Sequence, residues 1–488
     1  MILERFYEEK LAQASYLIGC AATGEALVVD PNRDVQQYIR AAEAEDLHIT
    51  HVTETHIHAD FVSGSRELCA RTGAKLCLSD EGGDDWRYAF AREDGAVLLR
   101  DGDGFRVGNI RIDVLHTPGH TPEHLIFLVT DTAAADRPIG ALTGDFLFVG
   151  DVGRPDLLEK AAKIKGTMES SARELFRSLQ RFKDQPDWLQ IWPGHGAGSA
   201  CGKGLSSIPQ STAGYERLFN WGLEYEEEDA FVRAVLEGQP EPPRYFAEMK
   251  RINRDGPPVL GAFPTLLRLE DGGLAETLGR GATIVDTRPA SEYAHAHVPG
   301  TINIPLDRSF TTWAGWLVPY DRELYLIVDD RSGRVGEAVS DLCKIGLERI
   351  GGLFAADAVR GWKTSGRRLG SVPQITAEEL SARMEADEVV VLDVRGHAEW
   401  AAGHLPGVRN IPVGYLTDHL SEIPSDRPVV LQCESGGRSS IGASVLRSKG
   451  LTNVANLTGG FAAWKEAGLP TEAGAVSGDG TATARAPR

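Results

Sequence analysis

The chain has 488 residues, too many for one ordinary hydrophobic core and enough for roughly three domains. Its 70 acidic residues against 51 basic ones give a formal net charge of -19, a field that repels nucleic acid and anionic membrane surfaces. Small molecules and other proteins are left as partners.

The N-terminal stretch MILERFYEEKLAQASYLIGC is charged throughout and has no uninterrupted apolar run before a small-residue cleavage site, which argues against a signal peptide. No later segment is long and apolar enough to span a bilayer. Cysteines 20, 69, 77, 201, 343 and 433 are scattered without CxxC pairs, so neither a disulfide framework nor a thiolate zinc site is expected. A reducing cytoplasm is the expected location.

In chain order, EALVVDP reads as a strand, VQQYIRAAEAEDL as a helix, and HITHVTETH, RIDVLHTPGH, HLIFLVT, IGALTGDFLFVG and WLQIWPGHG as further strands. Several of these runs end in His or Asp, as α/β folds do when they gather functional residues on loops at one sheet edge. After GAGSACGKGLSS, an aromatic-rich stretch is predicted helical as far as a linker near Gly256 to Pro258.

The loop residues form a candidate metal set. His56 and His58 alternate along THIHADF and share one side of it, with Asp60 two residues on. His120 in HTPGHTPEH, Asp145 in LTGDFLFVGD and His195 in WPGHGAG follow. Phe61 stands where an HxHxDH motif places its last histidine, and a phenyl ring donates no lone pair to a second metal. His51, His116 and His124 are read as hydrogen-bonded structural residues, and Cys20, Cys69, Cys77 and Cys343 as core.

These spaced motifs resemble the metallo-β-lactamase superfamily over roughly residues 10 to 200. The resemblance implies an αββα sandwich, and within the superfamily the pattern looks like the persulfide dioxygenases. It then implies one Fe(II) held by His56, His120 and Asp145, with His58 and Asp60 orienting ligands and His195 nearby but not required. Two imidazoles and a carboxylate are the facial-triad composition that leaves positions open on non-haem iron. Thiol persulfide and O2 would be the substrates and sulfite the product. The competing reading is a zinc-dependent thioester hydrolase of the glyoxalase II type. A third is a sulfur-carrier or redox-sensing protein.

An internal repeat fills the rest of the chain. IVDTRPASEYAHAHVPGTINIPL recurs as VLDVRGHAEWAAGHLPGVRNIPV, pairing Asp286 with Asp393, His297 with His404 and Asn303 with Asn410. Each copy reads as strand, turn, strand and helix of a doubly wound α/β unit. In the second copy VVLQCESGGRSS puts Cys433 after an apolar strand, in a loop running through Glu434, Ser435, Gly436 and Gly437 to Arg438 at a helix start. Backbone amides and the positive helix end favour a thiolate there, and with it a persulfide. The loop, with DVRGHAEWAAGHLPGVRNIP and GGFAAW, resembles the rhodanese sulfurtransferases over roughly residues 375 to 470. That resemblance implies Cys433 as sulfur carrier, Arg438 beside it, residues 434 to 437 as the persulfide-binding loop, and sulfite or thiosulfate as further substrates. Asp393, Arg395 and His404 are expected to be structural.

Arg334 matches Arg438, and counting back from Cys433 lands on Asp329, so the first copy is expected to be a rhodanese without its thiol. Cys201, in GSACGKG, is expected on an exposed loop near the metal, as a sulfur relay or with no role. The expected domains are 1–255 with a C-terminal helical extension, an inactive rhodanese-like domain at 262–371, an active one at 375–472, and a disordered tail at 473–488. The resemblance leaves room for a homo-oligomer, a dimer through the metal domain.

Overall fold

Residues alternate between two cores along the second strand of the chain. Ala14, Tyr16, Ile18 and Cys20 enter one apolar cluster while Leu17 enters another. Leu125, Phe127 and Val129 share the first cluster, whereas Ile126 and Leu128 face a third. Strands buried on both faces in this way must lie between layers. The computed structural model, which describes residues 1–160, 166–239, 241–331 and 333–474, shows that arrangement as an αββα sandwich.

The first mixed sheet runs in the order β1 (Ile2–Glu8), β2 (Gln13–Cys20), β3 (Glu25–Val29), β4 (His48–Thr53), β5 (Lys75–Ser79) and β6 (Val97–Leu99). The second contains β7 (Gly104–Val107), β8 (Ile110–His116), β9 (Leu125–Asp131), β10 (Gly140–Gly144), β11 (Gln190–Pro193) and β12 (Ser211–Thr212), in order from β12 back to β7. Between the sheets lies the cluster of Tyr16, Ile18, Leu27, Ile112, Phe127 and Trp192. Helices Gln36–Ala44 and Ser65–Thr72 cover the outer face of the first sheet through Tyr38, Ala42 and Leu68. Helix Met168–Phe182 covers the second through Ala172, Leu175, Phe176 and Leu179. Each fully buried Leu, Ile or Phe contributes about 1.5–3 kcal/mol, so these layers dominate the stability of the unit.

The strands expected at β3, β4 and β8 to β11 are all present, as is the helix after β3. The aromatic-rich stretch forms helices Ala213–Phe219, Trp221–Glu224, Glu228–Leu236 and Tyr245–Asp255, the last ending at Gly256 with φ +102. The chain divides into two compact units, Met1–Phe263 with Ser340–Gly346, and Pro264–Val339 with Leu347–Arg488. No described helix is long and apolar enough to cross a membrane.

The second unit holds two all-parallel sheets. One has the order β14 (Ile302–Asn303), β13 (Thr283–Asp286), β15 (Leu324–Val328), β16 (Ile350–Ala355). The other has β17 (Gln374–Ile375), β21 (Val454–Leu457), β20 (Val429–Gln432), β18 (Val390–Asp393), β19 (Arg409–Asn410). Where a turn was expected between the first two strands of each repeat, a short helix crosses over, Ala290–His295 in one and His397–Ala402 in the other. Parallel strands cannot be joined by a tight turn, which is the physical reason.

Strand register corrects one assignment. Asp286 lies opposite Ile327, and its repeat partner Asp393 lies opposite Gln432. The residue that takes the place of Cys433 is therefore buried Val328, not Asp329. The loop from Val328 to Arg334 carries one residue more than that from Cys433 to Arg438, which is why counting back from the shared arginine stops one residue short. Neither Val328 nor Asp329 has a thiol. The tail from residue 475 onward lies outside the described residues.

Candidate metal centre and cysteine loop

Four loops leave the strand ends of the sandwich and meet. The loop after β4 carries His56, His58 and Asp60, that after β8 carries His120, and Asp145 and His195 follow β10 and β11. All six side chains are buried. Donor atoms of His56, His120 and Asp145 lie within 4.8 Å of one another, and so do those of Asp60, His195 and Cys201. The two groups adjoin, with His195 Nε2 at 3.4 Å from Asp145 Oδ1 and 3.3 Å from Asp60 Oδ2. His120 Nε2 is 3.6 Å from Asp145 Oδ2.

Backbone carbonyls set the imidazole tautomers. His120 Nδ1 donates to the Arg154 carbonyl at 3.0 Å and His195 Nδ1 to the Ala12 carbonyl at 2.9 Å, which leaves each Nε2 lone pair turned to the carboxylates. His56 Nδ1 pairs with Thr55 Oγ1 at 3.0 Å. Burial, reinforced by His58, His120, His124 and His195, holds the His56 imidazole well below its ordinary pKa. Burial also lowers His120, against the opposing pull of Asp145. Both are thus neutral, the form that binds a metal.

Both oxygens of Asp60 and both of Asp145 are buried without a hydrogen-bond donor among the described residues. Burial raises the pKa of Asp60, against His195 and with the Asp145 charge adding to the rise. Crowded carboxylates beside neutral imidazoles fit a divalent cation, which would neutralise the one and use the lone pairs of the other. Side-chain bulk is excluded around Asp145, because a Cβ on Gly194 would sit 2.8 Å from its Oδ1.

His58 turns elsewhere. Its Nε2 lies 3.1 Å from Asp30 Oδ1, and although burial opposes protonation, Asp30, Glu54 and Asp60 outweigh it and lift the imidazole to about 9. Asp30 also accepts from Thr55 N at 2.6 Å and Thr55 Oγ1 at 2.9 Å, and holds a left-handed φ of +52. Phe61 is fully buried with its ring centroid 4.4 Å from that of His58. His124 is bonded at both ring nitrogens, to Thr117 Oγ1 and to the Asp145 amide, as expected of a structural residue.

Cys201 departs from expectation. It is 2% exposed rather than on an open loop. Arg154 Nη1 pins the Ala200 carbonyl at 2.8 Å, and Asp151 Oδ2 accepts from the amides of Lys203 and Gly204 at 2.9 and 2.7 Å. Burial, then the Asp145 and Asp60 charges, push the thiol well above its usual range.

Cys433 follows β20 directly and precedes helix Gly437–Ser448. Its Sγ accepts from Gly436 N at 3.2 Å and Ser439 Oγ at 3.3 Å. Gly436 adopts φ +94, a conformation that turns its amide inward and that a Cβ would strain. Arg438 turns both its terminal nitrogens to Glu399 at 2.6 Å, while its charge interacts with Cys433. Glu434 accepts from Arg395 Nη1 at 3.1 Å, and Arg395 grips buried Asp393 at 2.7 Å. His404 stacks on Trp400, centroids 3.8 Å apart. These pairings anchor the loop, in keeping with the structural role expected of Asp393, Arg395 and His404.

Sequence reasoning missed Asp30, Arg154 and Ser439. Asp30 had a signal in the VVDP strand end, and Ser439 in the SS that opens the helix. Arg154, fully buried and paired with Asp156 at 2.8 Å, had none, because its task is to offer a carbonyl to His120.

Residues 9–195 match the metallo-beta-lactamase superfamily, and residues 271–353 and 376–467 match the rhodanese-like domain. A metallo-beta-lactamase of known structure from Staphylococcus aureus subsp. aureus COL is 44% identical, with TM-score 0.67, covering 72% of this chain and 99% of that one. A sulfurtransferase from Allochromatium vinosum is 40% identical over 100 residues, 20% of this chain and 94% of that protein. A hydroxyacylglutathione hydrolase from Methylococcus capsulatus is 29% identical over 265 residues, 52% of this chain and 93% of that protein. Coverage is uneven, since the chain spans only 47% of the length of another curated relative that it matches over 108 residues.

Proposed function

Because the chain belongs to the metallo-beta-lactamase superfamily and carries two rhodanese-like domains, we propose that it is a bifunctional sulfur-oxidising enzyme. One site oxidises a low-molecular-weight thiol persulfide with O2 and water to free thiol and sulfite. The other moves sulfane sulfur through a Cys433 persulfide. The observation that carries the reading is the donor set of His56, His120 and Asp145 within 4.8 Å, two neutral imidazoles and a carboxylate.

Iron bound by those three residues would supply open positions for a persulfide and O2 and the electrons for oxygen chemistry. The rest is done by the chain. The Arg154 and Ala12 carbonyls orient His120 and His195, whose side chains are buried. Protons released as sulfite forms can be taken up at Asp60 and at His195 Nε2, 3.3 Å apart. Cys201 is the candidate sulfur relay, able to act once its buried proton passes to Asp60, whose donor atom lies within 4.8 Å.

At the second site, Cys433 Sγ attacks the sulfane sulfur of thiosulfate. The bond to the sulfonate sulfur breaks and sulfite leaves with the electron pair. Gly436 N and Ser439 Oγ, already aimed at the sulfur, hold the charge. Sulfite made at the first site is thus a substrate or product at the second, and a cytoplasmic location with free thiols suits both.

A second reading has one observation in its favour. Asp60, His195 and Cys201 form another three-donor group, which with the first could hold two metals for thioester hydrolysis. Metal analysis of protein purified without added metal, followed by O2 uptake with a panel of persulfides, separates the two. Iron with persulfide-dependent O2 uptake supports the dioxygenase. Zinc at full occupancy with no uptake overturns it.

A further inference from the structure

Helix Tyr245–Asp255 buries one face through Tyr245, Met249 and Asn253, spaced four residues apart. An amide among such neighbours needs its donors and acceptor filled. Asn253 finds its partners on the loop after β4 that carries His56, His58 and Asp60. Its Nδ2 donates to the carbonyls of His58 and Phe61 at 2.8 and 2.7 Å, and its Oδ1 accepts from the Ser63 amide at 2.8 Å. One side chain thus brackets residues 58 to 63, with Asp60 between its points of attachment.

A second segment completes the grip. Ser340–Gly346 belongs to the same compact unit as the sandwich. Ion pairs seat it there, Asp341 with Lys10 at 2.5 Å and Lys344 with Glu8. The Lys344 carbonyl accepts from the Val62 amide at 2.7 Å. A side chain on Gly346 would begin 2.9 Å from Ile252 Cδ1 and 3.3 Å from Val62 Cγ2, so segment, helix and loop pack against one another. Asn253 and Lys344 both lie outside residues 9–195, the part of the chain that matches the metallo-beta-lactamase superfamily.

Asp60 needs such support. Neither of its carboxylate oxygens is hydrogen-bonded to another residue among the described residues, yet Oδ2 stands 3.3 Å from His195 Nε2 in a buried site. With no donor on the side chain, its place is set by the main chain on either side of it. We propose that Asn253, aided by the Lys344 carbonyl, is a positioning residue of the metal centre, holding the loop so that Asp60 faces His195 beside the donor set of His56, His120 and Asp145. Asn253 acts through Asp60 and not as a ligand. The inference rests on the metal-centre reading of those residues and is the same for one ion or two.

The test is Co(II) binding to the full metal-free chain, read from the visible absorption of the ion, in a cycle of two substitutions. Asp60→Ala and Asn253→Ala are each expected to weaken Co(II) about tenfold, as loss of an outer partner does. Once Asp60 is replaced, adding Asn253→Ala is expected to cost less than about twofold, because the residue it positions is gone. Gly346→Ala sets a methyl group between Ile252 and Val62 with Asn253 intact, and is expected to repeat the pattern. Thermal melting checks that the variants fold. A loss from Asn253→Ala that is equal with and without Asp60, or no loss in either clamp variant, would overturn the proposal. So would rapid hydrogen exchange at the Val62 and Ser63 amides of the unsubstituted chain, a measurement that needs no variant to fold. His56→Ala separates the layers. If the unsubstituted chain binds no Co(II), or His56→Ala binds it as well, the metal-centre reading falls and the positioning role with it. If His56→Ala loses the ion while Asn253 and Asp60 show no coupling, only the positioning role falls.

Discussion

Asp145 and His195 face each other at 3.4 Å, Oδ1 to Nε2, and each also faces one of the two donor groups of the metal centre. Asp145 is a member of the first group and His195 of the second, so replacing each reports on a different site. Asp145→Asn is expected to abolish iron binding and persulfide-dependent O2 uptake. His195→Gln is expected to keep the iron and weaken its affinity about tenfold, as loss of an outer partner does. Metal content after dialysis decides. Equal losses in both variants would make His195 a ligand.

Phe61 offers the converse experiment. Phe61→His places an imidazole beside His58 and restores the HxHxDH pattern. Metal content is expected to rise from about one toward about two ions per chain, with O2 uptake falling, because a second ion neutralises Asp60 and occupies the space beside the first. An unchanged ratio would show that Phe61 is not what sets the number of metals.

At the cysteine loop, Cys433→Ser is expected to abolish sulfur transfer from thiosulfate and to leave O2 uptake intact. Ser439→Ala removes one of the two donors on Sγ and is expected to slow transfer about tenfold with the fold preserved. Arg438→Ala, whose guanidinium holds Glu399, tests the arginine named from sequence. A loss as large as that from Cys433→Ser would return it to the chemistry.

Glu123 carries a pH dependence of stability. Burial raises its carboxyl from 4.5 to about 7, against the pull of the Ile57 amide on Oε1 at 2.8 Å. Between those values the folded chain keeps a proton that the unfolded chain has lost, so stability falls as pH rises from 4.5 to about 7. Glu123→Gln is expected to remove about 1–3 kcal/mol of that fall, read from urea unfolding of the first unit at the two ends of the window. A slope unchanged by the substitution would mean that Glu123 titrates as it would in water.

The candidate metal residues that the structure brings together were legible because each stands at the end of an apolar run, and strand ends in this architecture share one edge. The repeat was legible for a simpler reason, the recurrence of Asp, His and Asn at fixed spacing. Strands β1 and β2 were not read. MILERFYEE mixes charged and apolar residues on both sides of a half-exposed edge strand, so it lacks the clean alternation that marks a strand. Cys201 was misplaced because Gly and Ser neighbours usually mark open loops. Here Arg154 and Asp151 hold that loop shut from a distance in sequence that local composition does not report. Asp30 and Arg154 act on the histidines through a carboxylate and a carbonyl, and such geometry exists only once the chain has folded.

The longer loop of the first repeat bears on how its chemistry could be regained. Val328 sits where Cys433 does, but the spacing to the helix is greater by one residue, and the position matching Ser439, counted from the shared arginine, is Val335. A lone Val328→Cys change would install a sulfur without the hydroxyl and out of step with the turn that presents an amide to it. Recovering a working cradle would take a deletion and two substitutions together. Among the described residues, only the second repeat presents a thiol at this strand end with an amide and a hydroxyl aimed at it.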